Sequence, residues 1–375
     1  MKFLYITHLS GKRVNRLWIS ALTAAKQLGF EVHLACNEEQ IEQPGWSDDC
    51  KQYGIIDHHI DFNRNPLDKE NKLAYKELLD LMEEEKFDIV HCNTPVGGLL
   101  GRLCANKAHV PYVIYQAHGF HFWKGAPVKN WMFYYPVEKY MAKYADVLIT
   151  INQEDYHRAE KFKLKQGGRL EYVHGVGVDF KKFESPKMQR TQKREELGIS
   201  QDSFVFITAG ELIERKNQTL AIKAFAKANI PNSYLLICGM GELESQLNKE
   251  IDDLHMVDRI KMLGFRQDMV DLLNASDAFV FPSFQEGLPV AQMEAMAAGL
   301  PCIVSKIRGN TDLLGDDYEY YFSPYEETEL SEKMKKMRSD KRSWRDYSKE
   351  HVAPYSFNGV TEELTKIYQY ASEKV

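Results

Sequence analysis

The 375-residue sequence contains no apolar run approaching the roughly 20 residues that a helix needs to span a bilayer, so no transmembrane segment is expected. The opening MKFLYITHLSGKR reads as a strand and a loop rather than a signal peptide, which predicts a cytoplasmic protein. Cysteine is sparse. Cys36, Cys50, Cys92, Cys104, Cys238 and Cys302 include no CxxC spacing, so neither a disulfide framework nor a zinc site is expected, and the thiols read as small reduced core residues. Positive charge is also in short supply: 48 Lys and Arg against 54 Asp and Glu leave a net charge of −6, which argues against a nucleic-acid partner. The first strand is followed by THLSGKRVNR and not by GxGxxG, which speaks against a nicotinamide-dependent oxidoreductase. No repeat of 20 to 50 residues and no low-complexity tract is visible.

What the chain does have is a globular composition, 44% hydrophobic and 27% charged, in a length that suits two domains of about 150 to 200 residues. Short apolar strands alternate with helical patterns. KFLYIT, EVHLAC, DIVHC, YVIYQAH and DVLITI are separated by SALTAAKQLG, KELLDLMEEEK and GLLGRLCANKA; the alternation restarts with SFVFITAG, QTLAIKAFAKA, YLLICGMG, LESQLNKEI, IKMLGF, MVDLLNAS and AFVFPS. Strand and helix in turn predict parallel sheets covered on both faces. The fold class is therefore α/β, with two Rossmann-like doubly wound domains facing across a cleft. Boundaries are placed at 1–178 and 179–355, with polar KMQRTQKREELG approaching the second domain, and residues 356–375 forming a helix that returns to the first.

The most informative segment is FQEGLPVAQMEAMAAGLPCIVS, which holds Glu286 and Glu294 eight residues apart. Pro289 marks a helix start and Gly299 its end, so one short helix carries Glu294 and the loop before it carries Glu286. Backbone amides at the positive helix end, around Gly287 and Leu288, suit a diphosphate, and the flanking carboxylates suit sugar and ribose hydroxyls. From Pro289 to Glu294 the helix rises roughly 7 Å, about a diphosphate's span. Val290, Met293, Met296 and Ala297 would face the core of any α/β protein, and a surface glutamate is usually just solvated. The strands on either side put this helix at a sheet's carboxyl edge, where open α/β sheets bind ligands.

Other strand ends carry polar clusters. GELIERKNQ offers Gly210 and then Arg215 and Lys216, two cations suited to a departing diphosphate, with Asn217 as a cap for the next helix. QAHGFHF places His118 before Gly119, where a neutral imidazole can meet a sugar hydroxyl; His121 is an equally placed competitor. CGMGE supplies Gly239 at a strand-to-helix turn, LGF supplies Phe265 near a nucleobase, and RGNTD offers Asn310 to polar ligand groups. In the first loop, Gly11, Lys12 and Arg13 suit an acceptor phosphate. Residues 101 to 145 carry six basic residues against Glu138 alone, a local balance of +5, with aromatics interleaved. Trp123, Lys124, Lys129 and Trp131 there suit the headgroup layer of an anionic membrane, while a core helix with a solvated basic edge explains the same pattern.

Taken together these residues closely resemble glycosyltransferase family 4, retaining enzymes of the GT-B fold that take sugars from nucleotide diphosphates, and the resemblance covers nearly the whole chain. Glu286 and Glu294 match the family's paired glutamates, Arg215 and Lys216 its donor-diphosphate pair, and His118 the histidine near the transferred sugar. The stretch AHGFHFWKGAPVKNWMFYYPVEKYMAKYADVLITINQEDYHRA resembles the branch that builds bacterial capsular and exopolysaccharides on a polyprenyl-diphosphate carrier. The resemblance implies transfer of a hexose or N-acetylhexosamine with retention, from a nucleotide sugar that is UDP-linked in that branch, at the inner membrane surface. It implies no protein nucleophile: Glu286 would hold the donor sugar and Glu294 the ribose. Where many relatives carry Gly-Gly in the first loop, this chain has SGKRVN with only Gly11. No DxD triplet is present, which fits a diphosphate neutralised by Arg215, Lys216 and helix amides, with no metal or other cofactor.

Other readings of the same scaffold are a nucleotide-sugar epimerase or hydrolase, which needs no lipid acceptor, and a non-catalytic partner subunit. The latter normally loses charged donor contacts, whereas Arg215, Lys216, Glu286 and Glu294 are all present here.

Overall fold

The structure, a computed structural model, describes residues 1–8, 13–14, 17–39, 41–66 and 68–375. The chain divides into two compact units, one formed by Met1–Gly177 with Phe357–Val375 and the other by Val178–Ser356.

The first unit is built on seven parallel strands: β1 (Lys2–Ile6), β2 (Glu31–Cys36), β3 (Ile55–His59), β4 (Ile89–Asn93), β5 (Tyr112–Ala117), β6 (Val147–Thr150) and β7 (Arg169–Tyr172). Their order is β3-β2-β1-β4-β5-β6-β7. All residues of β4, β5 and β6 are buried, as expected for inner strands covered by helices on both faces. Edge strand β3 is mostly exposed, and its IIDHH gives little hydrophobic signal. The helix Phe357–Ser372 belongs to this unit. Val360, Leu364, Ile367, Tyr368 and Ala371 share one helical stripe and are buried, and the Tyr368 hydroxyl lies 2.7 Å from Nδ1 of His91 on β4.

The second unit carries six parallel strands: β8 (Phe204–Ala209), β9 (Ser233–Cys238), β10 (Ile260–Gly264), β11 (Ala278–Phe281), β12 (Cys302–Ser305) and β13 (Tyr321–Phe322), in the order β10-β9-β8-β11-β12-β13. Both sheets are doubly wound. The winding reverses between β1 and β4 in one and between β8 and β11 in the other, and crevices at such reversals are where open α/β sheets bind ligands.

One local expectation is corrected. The polar stretch read as approaching the second domain is already part of it: Arg190–Glu196 is a helix whose Lys193 and Arg194 are buried in the second unit. Arg194 donates to the carbonyls of Ala275 and Ser203 and reaches Asp277 at 2.8 Å, while Lys193 reaches Asp268 at 2.8 Å. Buried charges of this kind are tolerated because each finds partners. All six cysteines are free and buried.

Candidate functional site

At the reversal of the second sheet, the loops leaving β8 and β11 are bonded to each other. The turn Glu214–Lys216 offers its Arg215 carbonyl to the Phe284 amide at 2.9 Å. Arg215 Nη1 returns a bond to the Gln285 carbonyl at 2.9 Å. Three donors then converge on one oxygen of the buried Glu286: Oε1 accepts from Ser283 Oγ at 2.6 Å, Lys216 Nζ at 2.7 Å and Arg215 Nη1 at 3.0 Å. Burial holds the Lys216 pKa below its ordinary value, and the facing Glu286 opposes that shift. Its ammonium also sits 4.8 Å from the centre of the Phe281 ring.

The helix that follows spans Val290–Ala297, with Pro289 as its capping residue and no side chain capping its first turn. Its first amides therefore have neither intrahelical nor capping partners among the described residues, the arrangement that favours an anion. The Glu286–Gly287 backbone before it is fixed from the loop after β12: Arg308 Nε donates to the Glu286 carbonyl at 3.1 Å, and a Cβ on Gly309 would come within 2.8 Å of the Gly287 carbonyl oxygen. Gly309 has φ +79°, a second reason for glycine there. Glu294, buried on the helix, accepts from Lys182 Nζ at 3.1 Å.

The neighbouring strand ends pack just as closely. Gly210 donates to the Cys238 carbonyl at 3.0 Å and Gly239 to the Gly264 carbonyl at 2.8 Å, linking the ends of β8, β9 and β10. Phe265 and Met240, next to these turns, are exposed large apolar residues at the same carboxyl edge.

The first sheet has its own polar cluster at the reversal. Asn93 ends β4, is buried, and its Oδ1 lies 2.9 Å from Nε2 of His118, which follows β5. Burial pushes the His118 pKa down to about 4, so the imidazole is neutral at pH 7. Next to Asn93, Thr94 has φ +64° and ψ +161°, a strained conformation for a β-branched residue, and its hydroxyl accepts the His8 amide at 3.2 Å. Both ring nitrogens of His8 are buried with no hydrogen-bond partner among the described residues, and burial, then the charge of Arg64, pushes its pKa down to about 4.

Several sequence expectations fall differently. Asn217 precedes its helix but does not cap it; its amide instead donates to the Pro282 carbonyl at 3.1 Å and the Pro324 carbonyl at 3.0 Å. Asn310 is fully buried: its Nδ2 donates to the Ser305 carbonyl at 2.8 Å, bracing the loop, while its Oδ1 has no partner among the described residues. Gly11 and Lys12 lie outside the described residues. Arg13 is held by Asp49, with Nε 2.7 Å from Oδ2 and Nη2 on Oδ1, so its guanidinium is already engaged. Trp131 is half-buried, its ring 5.6 Å from that of Phe122 and covered at 4.5 Å by the Arg158 guanidinium. Trp123 is half-buried, whereas Lys124 and Lys129 are exposed. Sequence reasoning missed Lys182, Ser283, Arg308, His8 and Asn93. Only position at or just after a strand's end signalled Ser283, His8 and Asn93, and the FKKF run gave a faint hint of Lys182.

Comparison with known proteins adds the context of relatives. Residues 189–351 match the family described as "Glycosyl transferases group 1", and residues 7–152 match "Glycosyl transferase 4-like". Over 297 residues the chain is 39% identical to EpsD of Bacillus subtilis (strain 168), named as a glycosyltransferase; the match covers 78% of this chain and 75% of EpsD. It is 36% identical over 248 residues to the UDP-Gal:alpha-D-GlcNAc-diphosphoundecaprenol alpha-1,3-galactosyltransferase of Escherichia coli, covering 64% of each. Among solved structures, HepE of Anabaena in complex with UDP and glucose superposes with a TM-score of 0.77 at 19% identity, covering 99% of this chain and 100% of HepE. Sucrose-phosphate synthase of Thermosynechococcus elongatus gives 0.78 at 15% identity, with both chains fully covered.

Proposed function

The chain belongs to glycosyltransferase family 4 and has its GT-B fold, and from that premise we propose that it moves a hexose or N-acetylhexosamine, with retention, from a UDP-sugar to a polyprenyl-diphosphate-linked saccharide during capsular or exopolysaccharide assembly. The observation that carries this reading is the meeting of Arg215 and Lys216 on Oε1 of Glu286 at the reversal of the second sheet. A buried carboxylate holds two cations in place before a donor arrives, which lowers the reorganisation needed when one does. Diphosphate oxygens then compete with Glu286 for the cations, and the freed carboxylate is positioned to accept hydroxyls of the sugar.

In the transfer itself the bond between the anomeric carbon and the phosphate oxygen breaks as the acceptor hydroxyl forms its bond on the same face. The hydroxyl proton passes to the departing phosphate. Charge grows on that phosphate, and Arg215 and Lys216 act most strongly there. Two cations and the amides of the Val290–Ala297 helix supply the counter-charge, so the reaction is assigned as metal-independent. Glu294, beside Lys182, is assigned to the ribose, and neutral His118 to a hydroxyl of the transferred sugar. The E. coli relative's name joins a UDP-sugar donor to a diphosphoundecaprenol acceptor, which supports the choice of both. Work on such an acceptor takes place at a membrane surface.

The test presents UDP- and GDP-sugars to the purified protein, first for melting-temperature shifts and then for transfer with and without carrier lipid in EDTA. Transfer to the lipid-linked saccharide from one UDP-sugar, unaffected by chelator, is expected. Sugar release or epimerisation that ignores the carrier would assign the donor site to hydrolysis or epimerisation, and activity that returns only with manganese would overturn the metal-independent step.

A further inference from the structure

The segment with the local balance of +5 becomes, in its middle, the helix Val128–Met141 of the first unit. At 100° per residue its two halves differ in character. One half holds Trp131, Tyr134, Tyr135 and Met141, which pack inward. It also holds the segment's only acid, Glu138, whose oxygens are taken up by Arg102 at 3.0 Å and Tyr115 at 2.8 Å. The opposite half holds Val128, Met132, Phe133, Val137 and Tyr140, with Lys129 and Lys139 among them. Val128 is 74% exposed, Phe133 71% and Met132 69%. Lys124 before the helix and Lys143 just after it are exposed as well.

A solvent-facing half with this many large apolar side chains is the reverse of an ordinary surface helix, where polar residues cover the outer face. Isolated exposed hydrophobics need no explanation, but a contiguous set on one helix does. The lysines select the occupant. Cations around an apolar strip, with the single carboxylate turned inward, match a surface that is oily below and negative above, and apolar side chains with lysines on one helix face are how interfacial helices lie on anionic lipid.

We propose that the outer face of Val128–Met141 docks on an anionic lipid bilayer, with Met132, Phe133 and Val137 entering the interface and Lys124, Lys129, Lys139 and Lys143 meeting lipid phosphates. This deepens the reading of a lipid-linked acceptor and rests on it for its purpose, but binding is measurable without any sugar chemistry. The face brings the first unit to the membrane in which a polyprenyl-linked substrate resides.

The experiment sediments the full chain with vesicles of phosphatidylcholine alone and of phosphatidylcholine with 30% phosphatidylglycerol at about 0.1 M salt. Binding to the anionic vesicles is expected, weakening as salt rises. The doubly substituted Met132→Asp, Phe133→Asp chain is expected to bind more than tenfold more weakly with an unchanged melting temperature, because both side chains are exposed. A Phe133→Trp chain should show a blue-shifted emission on anionic vesicles only. Failure of the wild type to bind either vesicle, or equal binding by the double variant, overturns the proposal. So does a concentration-dependent dimer that the double variant abolishes while vesicles remain unbound, since the face then meets a second copy. Vesicle binding in a protein that shifts its melting temperature with no nucleotide sugar would leave the docking face standing and remove the transferase reading.

Discussion

The Lys216 ammonium lies 2.7 Å from Oε1 of Glu286, the same oxygen that Arg215 reaches at 3.0 Å. One carboxylate thus balances two cations, and its removal has opposite consequences for nucleotide binding and for transfer. In Glu286→Gln the cations lose their competitor, so UDP binds at least as tightly as to the wild type. Transfer should fall by about 10²- to 10³-fold, the usual scale for losing one preorganised polar group at a reacting centre. Calorimetry with UDP and a turnover assay separate the two, and transfer within threefold of wild type would remove Glu286 from the chemistry. Lys216→Ala should weaken UDP by about tenfold or more, a charge-assisted contact being worth roughly 1.5–3 kcal/mol.

Glu294 sits in the same unit but is paired with a different cation, Lys182 at 3.1 Å. Glu294→Ala should weaken the full donor by roughly tenfold, about the value of a hydrogen bond to a charged group, with little change toward free pyrophosphate. A donor affinity equal to wild type would remove the ribose assignment.

His118 sets a pH dependence. Its folded pKa of about 4 lies below the ordinary 6.5, so between those values the unfolded chain binds more protons than the folded one. The stability from neutral His118 is complete above pH 6.5 and is lost as pH falls toward 4. His8, also at about 4, and His91, pushed by burial to about 3, act in the same direction. Melting temperature should therefore decline on acidification below pH 6.5, and less steeply in His118→Gln. Equal slopes for the two chains would contradict a buried neutral imidazole. Because His118 is neutral throughout, it should contribute no fall in transfer rate between pH 8 and 6.

Gly239 tests the backbone at the strand ends. With φ +146° and a Cβ that would lie 1.9 Å from the Gly210 carbonyl oxygen, Gly239→Ala must separate the ends of β8 and β9. A stability loss of about 3 kcal/mol or more is expected, together with a reduced melting shift from nucleotide. A melting temperature within 1 or 2 °C of wild type, as a rough bound for so large a change, would show that the two turns move apart freely.

Much of the fold was legible because buried parallel strands are continuous apolar runs: KFLYI, EVHLAC, YVIYQA and AFVF each announce themselves. Strand β3 was not, since IIDHH at a sheet edge buries too little to need such a run, and the helix Arg190–Glu196 was hidden in a stretch read only as polar because its buried side is formed by paired Lys193 and Arg194. The helix after Pro289 was legible from its proline start and glycine stop. The true occupation of Asn217, Asn310 and Arg13 was not, because an amide or guanidinium looks equally available in sequence whether it faces a ligand or a neighbouring carbonyl.

The sequence by itself determined that the chain forms two doubly wound α/β units and which residue types stand at the strand ends, because hydrophobic periodicity and turn chemistry act over a few neighbouring residues. Only the tertiary structure decided that residues 70 apart share one carboxylate oxygen, that Lys182 meets Glu294, and which half of Val128–Met141 is left uncovered. Those outcomes follow from strand order: the reversal between β8 and β11 brings their loops together, and packing on β5 and its neighbours leaves one side of a helix without a partner.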